Sequence, residues 1–394
     1  MDTSAGEIRL VASYAGLAFT LGLAWFVLAP VVPAVSSTFH ITLGPALLLI
    51  SVYGYAMIVG SLPAGIWVAR RGPGPALRVA VLLTAAGLFV RAIAPTYAVL
   101  LVGQVLAALA YPFLIAPIGS VLRVAGVRRL KTGTGLVIGT LFFGMAVGAL
   151  LGGRLPLAVN LWGSLLVNVL SGLWLWDTLP HLPAGRPVDL GPLRLVVSGW
   201  WLIGFVVASL TVMMASVSSA ALSHLHVPRG VELGGSLAAL IFLGSALGAV
   251  VLGPVGQRWS DTRRIQKVLG VATLLFVCLG AALLTGSLPA GRSVFTDLTF
   301  FLLGAFGNGW YALALDAAAQ EASDAGSAGL ATAGYSLASN VGVAVVPTLL
   351  GPLVVSAAPA WFLITGLLGL GAAAIPFVIR IKADLAEPAG AGSS

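Results

Sequence analysis

The side chains able to do chemistry are few, and they sit inside long apolar runs. Trp25, Gln104, Tyr111, Asn308, Trp310, Tyr311 and Asn340 offer rings, amides and hydroxyls, while Arg91 and Asp316 offer charge. A polar group facing lipid is costly, so at membrane depth such residues turn toward the protein interior or a water-filled cavity. Rings and amides gathered there would hold an organic solute by stacking and neutral hydrogen bonds. The motifs of an enzyme are missing from the sequence. Gly133, Gly135 and Gly139 imitate a dinucleotide loop, but no strand precedes them and they open an apolar run, so they read as helix packing. His224 and His226 lie two apart in an expected outer loop, where a plain loop is favoured over a metal site. His40 and His181 are also expected in loops. The sequence has no phosphate-cradling Gly-x-x-x-x-Gly-Lys loop. No catalytic residue, cofactor or metal is therefore expected.

The elements that position these residues follow from composition. Charged residues make up 8% and apolar residues 59% of the 394, where soluble domains carry roughly 25% charge. Mean hydropathy is +1.06. This is the composition of an all-α protein that crosses a membrane many times. A net charge of +8 could point to nucleic acid, but the basic residues sit in short turns between apolar runs, where lipid head groups are the expected partners. The single cysteine, Cys278, excludes an intrachain disulfide.

A spanning helix needs about 20 apolar residues, and twelve such spans can be drawn, at 8–35, 44–69, 76–94, 97–122, 132–152, 158–177, 195–222, 233–256, 267–287, 295–317, 328–352 and 359–380. From Leu10 to Ala69 there is no charged residue, and the turn within that run is placed at Pro33 to Pro45. The expected organisation is a six-span half at 1–177, a cytoplasmic linker at 178–194, a second six-span half at 195–382 and a disordered tail at 383–394. With both termini inside, 16 of the 20 Lys and Arg fall on the cytoplasmic side and only Arg91, Arg154, Arg229 and Arg292 outside. That bias sets the orientation. The first span is expected to stay as an anchor in the cell membrane, with no cleaved leader.

Two basic turns echo one another. The first carries Gly65, Arg70, Arg71 and Gly72 after Trp67; the second carries Gly253, Arg258, Arg263 and Arg264. Each resembles the G-x-L-A-D-R-x-G-R-K loop between the second and third helices of a major facilitator superfamily half, with Gly65, Arg70 and Gly72 matching in one copy and Gly253 and Arg258 in the other. The family's aspartate is replaced by Ala69 and by Gln257. The resemblance covers residues 8 to 382. It implies the major facilitator fold, twelve transmembrane helices in two six-helix halves, and secondary transport by alternating access.

In that superfamily the cavity is lined mainly by the first, fourth, seventh and tenth spans. Eight tryptophans (Trp67, Trp162, Trp174, Trp176, Trp200, Trp201, Trp259, Trp361) fall near span ends, where indoles sit in the interfacial belt. Trp25 and Trp310 lie inside the first and tenth spans, so they are expected to face the cavity; the competing reading is helix packing. Gln104, Tyr111, Asn308, Tyr311 and Asn340 join them as substrate-binding candidates. Ser209, Thr211, Ser216, Ser218 and Ser219 of the seventh span either face it too or bond their own backbone. Asp316 and Arg91 are the candidates for coupling or gating. Against this stand an interfacial place for Asp316 and, for Arg91, snorkelling at the outer end of the third span. Gly144, Gly148 and Gly152 on the fifth span, and Gly244 and Gly248 on the eighth, form small-residue ridges. Since the family packs these two spans across the halves, the ridges are expected at the sliding interface or in general helix packing.

A finer resemblance is to the feline leukaemia virus receptor branch, carriers of choline and ethanolamine also linked to haem. It rests on Ala24-Trp25-Phe26, Tyr111-Pro112-Phe113, Gly304, Gly309 and Asp316, although the branch's glutamine before Pro-Phe is replaced by Tyr111. Drug–proton antiporters of the superfamily carry an Arg where this chain has Gln104 and a Gly-Pro where it has Gly144-Met145. Arg91 resembles an arginine of the cyanate and nitroimidazole permeases. With rings and amides but no central carboxylate, the expected substrate is a neutral small organic solute or a diffuse cation held over ring faces. The alternative is a small organic anion permease or efflux carrier. A channel or receptor is disfavoured because no pore-lining repeat of like residues is present in the sequence. The expected partners are the small-molecule substrate and membrane lipids, not nucleic acid, and the expected state is a monomer.

Overall fold

The computed structural model describes residues 3–124, 130–179, 200–224, 226–258, 293–320 and 325–356, and all regular structure among them is helical. In chain order the elements are α1 Thr3–Phe26, α2 Val32–Phe39, α3 Leu43–Arg71, α4 Pro73–Ala92, α5 Tyr97–Ile115, α6 Ile118–Val124, α7 Leu130–Gly152 and α8 Leu157–Thr178. They continue as α9 Trp200–His224, α10 Gly230–Arg258, α11 Val294–Gln320 and α12 Ala325–Ser356. Among the described residues seven helices are long and apolar enough to cross a membrane, and α11 and α12 contain the shorter apolar stretches Val294–Asn308 and Tyr335–Leu349. Every expected span within the described residues falls on a helix. The expected spans at 267–287 and 359–380, the linker beyond 179 and the tail lie outside them.

Two boundaries differ from expectation. The first span does not run to residue 35: α1 stops at Phe26, and a separate short helix, α2, occupies the stretch placed in a turn. Pro33 sits in its first turn, where its missing N–H costs nothing. His40 closes it in a left-handed conformation at φ 52. The fourth span breaks after Ile115 into α5 and α6, just beyond Pro112 inside α5.

Helix ends follow local chemistry. Gly72 ends α3 at φ 85 and ψ 171, a conformation suited to glycine alone, and its N–H returns to the Val68 carbonyl at 2.8 Å. Pro73 then opens α4 at once. This is why the basic turn needs no more than one residue between its two helices. On α3, Leu47, Ile50, Tyr53 and Met57 form a buried stripe at helical spacing. Leu82 and Phe89 of α4 and Leu166, Leu170 and Leu173 of α8 point outward, an apolar outer face suited to lipid.

The packing has an internal two-fold. In the first half α1 packs on α7 and α8, and α3 on α5; in the second half α9 packs on α12, and α10 on α11. Matching first span to seventh and so on in order, α1–α7 maps onto α9–α12, and α3–α5 onto α10–α11. The contacts between halves obey the same mapping, since α3 meets α12 and α7 meets α10.

The ridge glycines select general helix packing over the sliding interface. Gly144 and Gly148 face Phe19 and Leu23 of α1 and Gly152 faces Val27 just past its end, all within the first half, and Gly244 and Gly248 face Phe301 and Ala305 of α11, within the second. The seam between α7 and α10 is made by different small residues. Gly135 and Gly139 lie against Ala246, Ala249 and Val250, and Gly235 lies against the Ala149 carbonyl. The two helices do meet across the halves, but with faces other than the expected ones. The Gly135-to-Gly139 step is thus a packing ridge, as its place in an apolar run implied.

Candidate substrate site between the halves

Trp25 is the centre of a ring cluster. Its side chain is buried, and its indole N–H donates to the Ile50 carbonyl of α3 at 2.8 Å. The ring stacks on Tyr53, with centroids 4.6 Å apart and planes 9° from parallel, and Tyr111 of α5 leans against it at 5.4 Å. The next residue, Phe26, meets Phe242 of α10 edge-on at 4.3 Å, and Phe242 stacks with Phe142 of α7 at 6.4 Å. The rings therefore reach from α1, α3 and α5 to the opposite half. Trp25 and Tyr111 come together as expected. Tyr53 and Phe242 were not among the sequence candidates; Tyr53 sits in the charge-free run, where a tyrosine at mid-span was the available signal.

Gln104 and Arg91 form a second group beside the first. Arg91 is fully buried, which overturns the snorkelling reading. Its guanidinium is held by protein acceptors and does not reach for the surface. One Nη donates to the Ala24 carbonyl at 2.7 Å and to Gln104 Oε1 at 2.8 Å, and the other donates to Ser164 Oγ of α8 at 2.8 Å. Gln104 Nε2 donates in turn to the Leu49 carbonyl at 2.7 Å. Both ends of that amide are engaged, so Gln104 joins α3, α4 and α5 and offers a solute little. Since Ala24 precedes Trp25, the same network fixes the backbone that carries the indole.

Polar pairs continue along the α1–α8 contact. Asn168 donates to Thr20 at 2.9 Å, Ser13 and Thr178 share a hydrogen bond of 3.0 Å, and Arg9 pairs with Asp177 at 2.6 Å near the helix ends. Both partners of that last pair are exposed, so it adds little stability.

In the second half Asn308 is buried and donates to Ser245 of α10 at 3.0 Å, with Thr211 of α9 at 3.4 Å from its Oδ1. It ties three helices together. Asn340 is buried and donates to the Ser336 carbonyl one turn back at 2.8 Å, while its own backbone carbonyl lies against Gly54 of α3. It thus stands at the contact between halves. Trp310, Tyr311 and Asp316 lie on α11, but their side chains are outside the described set. Among the hydroxyls of α9, Ser209, Ser216 and Ser218 bond backbone carbonyls one turn back, to Phe205, Val212 and Met214.

The inner-loop residues behave as a cap and an anchor. Gly65, Arg70 and Arg71 are exposed at the end of α3, and the Arg71 guanidinium lies over the Trp67 ring at 4.5 Å. Gly72 supplies the turn. Arg258 ends α10, with its side chain outside the described set.

A pseudo-two-fold bundle of long apolar helices, with rings and amides where its halves meet, has the design of a membrane carrier. Residues 14–347 match the family model of the Major Facilitator Superfamily, and the chain belongs to that family of multi-pass membrane transporters. It also superposes on the crystal structure of the human organic anion transporter MFSD10 (TETRAN) with a TM-score of 0.71 and 16% identity. The match covers 94% of this chain and 99% of that one. At this identity the likeness shows the fold. No curated protein matches the sequence. The finer resemblance to the feline leukaemia virus receptor branch is not shown by these matches.

Proposed function

We propose that the chain carries a small organic solute across the cell membrane by alternating access, holding it against the rings of Trp25, Tyr53 and Tyr111. The observation that carries this reading is the stacked Trp25–Tyr53 pair, whose neighbour Phe26 touches Phe242 of the opposite half. A solute among these rings would feel both halves at once, which a rocking carrier requires. Trp310, Tyr311, Asn308 and Asn340 complete the site from the second half in this proposal, and Asp316 serves gating or coupling.

Flat or apolar solutes suit such rings, where an aromatic contact contributes about 0.5–1.5 kcal/mol beyond its buried area. The diffuse cation among the sequence expectations fits less well, because the buried Arg91 beside the cluster repels positive charge. The human structural neighbour is named an organic anion transporter, and at 16% identity that name alone assigns no substrate here. The proposal keeps a monomer with the linker at 178–194 and both termini on the cytoplasmic side, as the positive-charge bias implies.

Purified protein in liposomes tests the reading. Saturable flux that accelerates when solute is present on the far side is expected of a carrier. Trp25→Ala should weaken solute affinity by about 1–3 kcal/mol, as loss of a packed ring contact does. Flux that never saturates would mean a channel, and unchanged affinity in Trp25→Ala would place the site elsewhere.

A further inference from the structure

Between residues 8 and 176 the sequence contains no Asp or Glu. The carboxylates of the first half are confined to its ends, with Asp177 exposed and paired to Arg9, so none lies at the depth of Arg91, whose side chain is fully buried. Ala24, Gln104 and Ser164 give the guanidinium neutral acceptors. Dipoles of this kind solvate a cation without neutralising it, and a buried charge without a counter-charge is costly.

The solvation is also incomplete. Arg91 Nε has no hydrogen-bond partner among the described residues, and neither does the hydroxyl of Tyr53, which is equally buried. Both side chains lie on the same short segment of α1, Arg91 against the Ala24 carbonyl and Tyr53 against the Trp25 ring. Buried polar atoms are nearly always bonded, so two orphaned donors on residues that meet the same segment of α1 need a reason. Tyr53 joins this charge to the ring cluster, since its ring is the one stacked on Trp25.

Resting on the reading of that cluster as the solute site, we propose that Arg91 and Tyr53 bind an acidic group of the solute. The substrate class is then a monocarboxylate with an apolar or flat body. One guanidinium supplies one counter-charge, and Nε–H with the Tyr53 O–H supplies donors for the two oxygens of a carboxylate. A doubly charged phosphate would leave net negative charge in a half that has no second buried cation among the described residues. The body of the acid would lie on Trp25 and Tyr111. With Tyr53 and Arg91 closed off in the present arrangement, the acid reaches them only when the ring cluster parts, so binding and rearrangement are linked.

Benzoate and benzamide, equal in shape and different in charge, separate this from its rivals. Melting temperature and tryptophan fluorescence of the full chain in nanodiscs are titrated with each. Wild type should bind benzoate at least about tenfold more tightly than benzamide, since hydrogen bonds to a charged group are the strong ones. Tyr53→Phe, which removes only the hydroxyl, should weaken benzoate by roughly three- to tenfold and benzamide by less, so that the preference narrows. Arg91→Gln should abolish the preference. If Arg91→Gln does not fold, Tyr53→Phe carries the test alone. Equal binding of the two probes by wild type, no binding of benzoate, or a Tyr53→Phe protein with unchanged benzoate affinity overturns the assignment. Trp25→Ala distinguishes the two levels. If it weakens both probes while wild type binds them alike, only the acidic-group assignment falls. If neither probe notices it, the ring site falls as well.

Discussion

Gln104 shows how far a residue's identity can mislead about its job. An amide at membrane depth promised a hydrogen bond to solute, yet both of its ends are taken, one by Arg91 and one by the Leu49 carbonyl. Gln104→Leu would leave a buried guanidinium short of an acceptor and a carbonyl short of a donor. Loss of a hydrogen bond to a charged group costs about 1.5–3 kcal/mol, so this variant should show a clearly lower melting temperature in detergent. Melting at the wild-type temperature would mean that the network is not what holds Arg91. The residue types in this region were legible from the sequence, and so was the expectation that Trp25 stands apart from the interfacial belt. The depth of Arg91 was not legible. A long side chain near a helix end can turn outward to water or inward to acceptors. The choice here was made by Ala24, Gln104 and Ser164, which come from three other helices.

At the scale of the helix, small residues four apart say that something packs closely but not what. Gly144 and Gly148, for which the sequence left the interhalf seam and general packing open, lie against α1; Gly135 and Gly139, read only as packing, hold α7 against α10. Direction around a helix decides this, and on helices that are apolar nearly all round the sequence pattern carries little direction. The two ridges should fail differently. A side chain at Gly148 would meet the backbone of Leu23 and Val27, which cannot yield without parting α1 from α7. Overpacking of this kind costs about 1–3 kcal/mol, so Gly148→Val should lower the yield of folded protein and its melting temperature. At Gly139 an added methyl carbon would first meet the Val250 side chain, at 2.8 Å, and Val250 belongs to the opposite half. Gly139→Val should therefore fold but slow solute flux in liposomes, because it alters the seam between the moving bodies. Equal loss of folding in both variants would show that the distinction between ridges has no energetic meaning.

For the whole molecule, the positions of the spans within the described residues and the echo of the two basic turns were legible, because hydrocarbon thickness demands long apolar runs and a repeated short turn marks a repeat. Which helices touch across the halves had to come from the fold. The mapping that carries α3–α5 onto α10–α11 also exchanges α3–α12 with α7–α10, so the halves meet through two equivalent seams. If they rock about a site between them, at least one seam must open during the cycle. The α3–α12 seam can be tested directly. A methyl carbon added at Gly54 would stand 2.8 Å from Ala344 Cβ, and a disulfide needs roughly 3.5–4.5 Å between its Cβ atoms, so a slight parting of the backbones allows the bond. The sole native cysteine, Cys278, is first replaced by Ser. Gly54→Cys with Ala344→Cys should then form the bond under mild oxidant, stop flux in liposomes, and recover it on reduction. Each single variant should transport in both conditions. A cross-linked protein that moves solute at the uncross-linked rate would show that this seam stays shut throughout the cycle, leaving the α7–α10 contact as the one able to open.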